Sequence, residues 1–496
     1  MPAVSPTVRR TVYRVLLVLL CCAAFGRGAA LMWHEPMLGL GNNYDMIRVQ
    51  GCIDAYPVRP ATVPPWSNSW QGPISRYQFR NDVDPGCFLT SEALFAFAAL
   101  PLLRAFTAQS DDGSFPLRAV GWLKLVSLWL AGAGLSLALW RQQRLPAALG
   151  NLGLCVALLL DPGVTVYVNG FYAEFAVVLF AYAAVGGVFV ALGSTRPSRA
   201  ALFALAAAVV LVGFSKIQHA VFGLFLLGSL CAALWLTRAP APRGLLFAVG
   251  LAAALAAIGQ WLHIHHAAQT ESMRRANLTN TVLGAVLASA DDPRQTARRL
   301  GLPADCGDYA GQTWFTPGLR EQHPCPELFE LSRLRLLELV VQEPTTVVRL
   351  LAGGLERARP WIPQLLGKVE GSVSAPLPAQ FFTWDRWLRR LPDQVFAALF
   401  LLPPLLAALV VVARKRLRLS PAGVFLWLFC AVYPWFALPG VVFGDGFADT
   451  AKQLHLGTTA LLAFWLLAAG GLAWQLCNWF AATHRATAPP PLSPAH

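Results

Sequence analysis

DQVFAALFLLPPLLAALVVVARKRLRLSPAGVFLWLFCAVYPWFAL, residues 393–438, holds two apolar runs with a basic turn between them. About 20 apolar residues in a helix cover the roughly 30 Å of a hydrocarbon core. Arg414, Lys415, Arg416 and Arg418 therefore join two spans, near 393–413 and 421–438, and the positive-inside bias puts that turn in the cytoplasm. Four more short clusters repeat the pattern: Arg9, Arg10 and Arg14; Arg141 and Arg144; Arg196 and Arg199; Arg238 and Arg243. With all five facing inward, the segments 33–116, 162–170, 215–219, 265–392 and 439–452 are forced outward.

The other expected spans are 12–32, 118–140, 146–161, 171–193, 200–215, 219–237, 243–264 and 453–476, ten in all, with both termini in the cytoplasm. The runs at 146–161 and 200–215 are short. The first resembles a secretory signal, but no small-x-small site precedes a polar start, so a retained anchor is expected. Ala93–Leu103 tests the count: its eleven apolar residues reach only about 16 Å as helix, and Pro101 and Arg104 should end it. It is expected to lie on the outer leaflet.

The chain of 496 residues is 56% hydrophobic and only 13% charged, with mean hydropathy +0.51, so a polytopic all-α bundle in a lipid bilayer is expected rather than soluble domains. The net charge of +13 sits in inter-span clusters, with no basic stripe among aromatics, so nucleic acid is not an expected partner. The chain divides into 1–264 with the first outer loop and seven spans, the outer segment 265–392, the spans of 393–476, and a cytoplasmic tail, 477–496. The end of that tail, ATAPPPLSPAH, reads as disordered.

Turns and short helices are expected in the Pro- and Gly-rich first loop in preference to strands. Two amphipathic helices are expected later, Glu327–Val341 and Thr345–Arg359, on the outer leaflet or over a site as a lid. Six cysteines (Cys21, Cys22, Cys155, Cys231, Cys430, Cys477) fall in spans. The other four pair within outer loops, Cys52 with Cys87 and Cys306 with Cys325, and suit disulfides in an oxidising compartment.

The residues that could carry chemistry gather at the outer ends. Asp45 and Arg48 follow the first span, where a carboxylate could accept a hydroxyl proton and an arginine could hold a phosphate, or the two could form a solvated ion pair. Glu174, beside Tyr172, is an acid at the start of a span, costly there unless used, although it could also snorkel. Lys216, Gln218 and His219 occupy a short outer turn; a cation there suits a lipid phosphate, or caps a helix. Asp445, Asp449, Lys452 and His455 precede the last span, the last three spaced for one helical face. His455 with the two Asp could bind a metal, but the spacing matches no ligand signature, and structural pairing is the expectation. The trio His263, His265 and His266 reads as interfacial. There is no P-loop, dinucleotide fingerprint, nucleophile elbow or internal repeat.

Together these motifs resemble the GT-C superfamily of membrane glycosyltransferases, and among them bacterial hexose-transferase-like proteins of surface-glycan synthesis. The matching stretches are NN-x-D-x-x-R (Asn42, Asn43, Asp45, Arg48), FYxE (Phe171, Tyr172, Glu174) and SKxQ (Ser215, Lys216, Gln218). The run from Asn277 and the Asp449–His455 stretch follow in order. The resemblance implies a polyprenyl-phosphate-linked sugar donor and a glycan or lipid-linked acceptor, with a site on the periplasmic face of a bacterial inner membrane. Asp45 would be the catalytic base and Glu174 would position a substrate. Lys216 with Arg274 or Arg275 would hold the donor phosphate, and Lys452 and His455 would line the site. No metal ligands are assigned; the chain lacks the paired acids some relatives carry, and a divalent cofactor stays open. The rival readings are a flippase of lipid-linked oligosaccharide, a glycan polymerase or ligase, and a scaffold without catalysis.

Overall fold

A computed structural model describes residues 6–59, 61, 72–81, 86–266, 270–417 and 420–486. Arg418 of the last basic cluster and the tail beyond residue 486 lie outside them. The principal helices are α1 (Pro6–Met32), α2 (Tyr44–Gln50), α3 (Ala93–Gln109), α4 (Arg118–Arg141) and α5 (Leu145–Leu154). After them come α6 (Ala173–Leu192), α7 (Arg199–Gly213), α8 (Phe222–Thr237), α9 (Arg243–His266) and α10 (Thr270–Thr281). The later part holds α11 (Arg333–Gln342), α12 (Pro344–Ala358), α13 (Asp393–Val412), α14 (Pro421–Asp445), α15 (Thr450–Gln453) and α16 (His455–Ala486).

Among the described residues, eight helices are long and apolar enough to cross a membrane, so the protein is a multi-pass membrane protein with an all-α polytopic bundle. All ten expected spans are helical, but two fall short by length, Leu145–Leu159 and Arg199–Gly213. Both pack between long neighbours, α5 against α4 and α7 against α6 and α9. The bundle core is a continuous cluster running from Leu31 and Met32 through α4, α6 and α8 to Phe464.

Three expectations are corrected. The helix at Ala93 runs through Pro101 and Arg104 to Gln109, because its buried stripe (Phe95, Ala96, Ala99, Leu103) packs on the bundle while Pro101 faces outward. At 17 residues it still spans only about 25 Å. The first loop contains strands: β1 (Ala55–Pro57), β2 (Arg76–Phe79) and β3 (Ser114–Pro116) form an antiparallel sheet in that order. Buried aromatics explain it, since Tyr77 packs against Phe171 at 5.9 Å and Phe79 against Phe115 at 5.0 Å, and aromatic side chains favour a half-buried pleat. The expected helix from Glu327 is broken: Pro326–Glu330 is a 3-10 turn, and α11 starts afresh where Ser332 caps the Leu334 amide at 3.3 Å. Leu336 and Leu339 of α11 pack inward, while Leu334, Leu337 and Val341 are exposed.

A second core joins residues 278–358 to Leu438, Val441 and Val442 of α14 and Leu454 and Leu461 near the start of α16. The segment assigned outward therefore sits on one end of the bundle. Arg144 lies toward the other end: it packs over Phe189 in the last turn of α6, whereas Glu174 lies in its first turn.

Candidate active site

The site begins with the positioning of α2. The Asn43 side chain accepts from the Asp45 amide at 3.0 Å, Asp45 lies in the first turn, and Arg48 in the last, each where the helix dipole favours its charge. Cys52, two residues after α2, is bonded to Cys87, with 4.3 Å between the Cα atoms, and the Phe88 amide donates to Arg48 O at 3.1 Å. The expected Cys306–Cys325 pair is bonded as well.

Asp45 is shared between two cations. Arg48 pairs with its Oδ1, and Lys452 Nζ lies 2.6 Å from its Oδ2. Lys452 also reaches Asp449 at 2.6 Å, and its ammonium sits 5.9 Å from the centre of the Tyr172 ring. Beside Lys452, the Gln453 side chain accepts from Lys216 at 3.4 Å, and Lys216 pairs with Glu174. Asp45 and Glu174, 129 residues apart in the chain, thus belong to one network at one end of the bundle. Burial works to raise the Asp45 carboxyl, but Lys452, Arg48 and Lys216 together hold it well below the usual carboxylate range. Lys452, 2% exposed, is pulled the other way: burial opposes its charge, yet Asp45, Asp449 and Glu174 keep it protonated.

The backbone brings α15 in by an unusual turn. Gly446 has φ +60°, and a Cβ there would meet Asn280 O at 2.1 Å, so only glycine permits the approach. Asp449, at φ +49°, then opens α15. Because the helix breaks at Leu454, Asp449, Lys452 and His455 do not share one face. Lys452 turns to Asp45, while the His455 ring lies against Tyr167 and Trp361, at 4.8 and 5.5 Å. Asp445 accepts instead from Asn280 at 2.9 Å and from the Gln453 side chain at 3.4 Å. The expected face is therefore not formed, and a Lys452 ammonium occupies the gap between Asp45 and Asp449 that a cation would need. Among the described residues, the one cluster with metal-ligand spacing contains the bonded Cys306 and Cys325, whose sulfurs are committed to each other.

The remaining expected residues divide. Gln218 donates to Gln453 O at 2.7 Å and His219 faces Tyr433, so both brace the turn that carries Lys216. Tyr172 donates to Gly41 O at 2.7 Å, fixing the loop before α2. Arg274 and Arg275 pair with Glu271 and are not joined to the Asp45 network; their neighbour Met273 is what touches Arg48. Of the three histidines at the end of α9, His263 packs on Phe88 and His265 bonds to Trp261 O of its own helix.

Sequence reasoning missed a fully buried ion pair, Lys124 with Glu92. Lys124 also donates to Gly170 O at 2.5 Å, just ahead of Glu174. A lysine six residues inside an apolar span was the available signal. Burial pushes the Glu92 carboxyl up, against the attraction of Lys124. Also unforeseen is that Glu174 Oε2, the Tyr167 and Thr450 hydroxyls and both His455 ring nitrogens are among the buried polar atoms without a protein partner in the described residues.

No curated protein and no solved structure matches the chain. One family model, described as the YfdI N-terminal transmembrane domain, matches residues 7–482, which include every residue of this network. The chain belongs to the YfdI N-terminal transmembrane domain family.

Proposed function

We propose that the protein is a glycosyltransferase that moves a sugar from a polyprenyl-phosphate-linked donor to a glycan or lipid-linked acceptor, on the outer face of a bacterial inner membrane. One observation carries the reading: Asp45 of an outward-assigned segment and Glu174 in the first turn of a span join Arg48, Lys216 and Lys452 at one end of the membrane bundle. In the reaction, an acceptor hydroxyl oxygen bonds to the anomeric carbon as the bond from that carbon to the phosphate oxygen breaks. The hydroxyl proton passes to Asp45, and polyprenyl phosphate leaves with the electron pair.

A carboxylate held by two cations is a weak base, since basicity falls with its pKa. The donor supplies the correction. Its phosphate competes with Asp45 for Lys452 and Arg48, so donor binding releases the carboxylate while the same cations stabilise the leaving charge. Glu174, with one oxygen on Lys216 and the other unpartnered, is placed to accept from a sugar hydroxyl.

The test is transfer by the purified protein in liposomes containing radiolabelled polyprenyl-phosphate hexose and an acceptor. Asp45→Asn should abolish label transfer, a loss of at least about 100-fold, while the variant still inserts and melts cooperatively. Substantial residual turnover refutes the base assignment. Label that crosses the bilayer without cleavage of the sugar–phosphate bond would establish transport instead.

A further inference from the structure

Away from the Asp45 network lies an open cleft of about 370 Å³ lined by Glu271, Ser272, Arg275, Trp314, Arg320 and His323. We propose that this cleft is the acceptor subsite and that it takes a sugar bearing an anionic group. The assignment of an acceptor rests on the transferase reading above; the binding chemistry does not.

The cleft has two walls. One is α10, through Glu271, Ser272 and Arg275. The other is the segment closed by the Cys306–Cys325 disulfide, whose Cα atoms lie 5.5 Å apart. Within that segment Gly318 and His323 adopt φ of +81° and +44° and bracket one helical turn, Leu319–Gln322. That turn presents Arg320 and His323 toward Trp314: the Arg320 guanidinium lies 5.6 Å from the Trp314 ring centre and His323 lies 6.3 Å from it. The Trp314 amide is in turn anchored on Asn280 Oδ1 at 2.9 Å.

Aromatic faces bind the apolar faces of sugars, and guanidinium forks match carboxylate or phosphate oxygens two at a time. Arg275 is already paired with Glu271, at 2.8 Å. Arg320 has no ion-pair partner among the described residues, so the cleft carries an uncommitted cation next to a tryptophan. The volume falls within the range of about 300–1,000 Å³ usual for small-ligand sites.

Position ties the cleft to the network. Along α10, Glu271 and Arg275 face the cleft while Met273, on the opposite side of the helix, meets Arg48. Asn280, further along α10, holds both the Trp314 amide and Asp445. A glycan seated on Trp314 therefore lies one helix away from Asp45.

Equilibrium binding to the full-length protein in nanodiscs tests this, without donor and without turnover. The probes are trigalacturonic acid for a carboxylate, glucose 6-phosphate for a phosphate, and maltotriose as the neutral control. At least one anionic probe should bind about tenfold or more tightly than maltotriose. Trp314→Ala and Arg320→Ala should each weaken that binding about tenfold or more, with Trp314→Phe and Arg320→Lys retaining part of it. Equal binding of maltotriose, no anionic binding up to about 10 mM, or indifference to both alanine variants overturns the proposal. Failure of the transfer assay with binding intact would sink the transferase reading alone.

Discussion

Lys452 is the side chain on which the charge balance turns. It is buried between Asp45 and Asp449, so replacing it leaves two carboxylates facing each other. Lys452→Met should lower stability by about 2–3 kcal/mol in thermal unfolding, less than the roughly 3–5 of a fully buried pair because both acids keep some exposure. A pH dependence follows for Asp45. Its folded pKa is depressed, so the stability it contributes is present above the unfolded value near about 4 and is lost only as pH falls through the folded one. The melting difference between the wild type and Asp45→Asn should thus stay constant from about pH 5 to 8 and shrink only below about pH 4. A difference that changes across the neutral range would show that Asp45 is not held ionised by these cations. Sequence pattern alone pointed to Asp45, Glu174, Lys216 and Lys452, because charged residues at span ends are few. It did not reveal that Lys452 bridges to Asp45 across 407 positions, since pairing between distant loops leaves no periodic trace.

The element that sets the site is α2, seven residues held by what flanks it. The Cys52–Cys87 bridge closes a loop of 35 positions two residues after it. Cys52→Ser with Cys87→Ser should cost about 2–4 kcal/mol in thermal unfolding and should depress transfer. Loss of the Cys306–Cys325 bridge should instead weaken binding in the outer cleft, because that bridge lies in the wall bearing Trp314 and Arg320. If removing the first bridge leaves both melting and transfer untouched, α2 is held by its capping and the small sheet alone. That sheet was illegible beforehand. Its strands are three or four residues long, come from distant parts of one loop, and exist because Tyr77 packs against both Phe115 and Phe171.

Across the whole bundle, the buried Lys124–Glu92 pair joins α4 to the start of α3 and supports the backbone at Gly170, four residues before Glu174. Breaking one half is the damaging change: Lys124→Met alone should cost about 3–5 kcal/mol, and adding Glu92→Gln should recover much of it. Thermal unfolding of the two single variants and the double variant measures the coupling. Additive losses would mean that the two groups do not act as a pair. The second core, which packs residues 278–358 onto α14 and α16, explains why a polar segment can lie over the bundle without crossing it.

Sequence by itself determined that this is a membrane bundle, where nearly every span begins and ends, and which loops share a face, because hydrophobic length and charge bias act locally and additively. It also marked the two disulfides and the acids at the bundle end. Tertiary structure alone decided which charges touch. Those choices depend on where Gly446 lets the chain pass Asn280, where the last helix breaks at Leu454, and how burial strengthens each surviving pair, and none of these is a property of neighbouring residues.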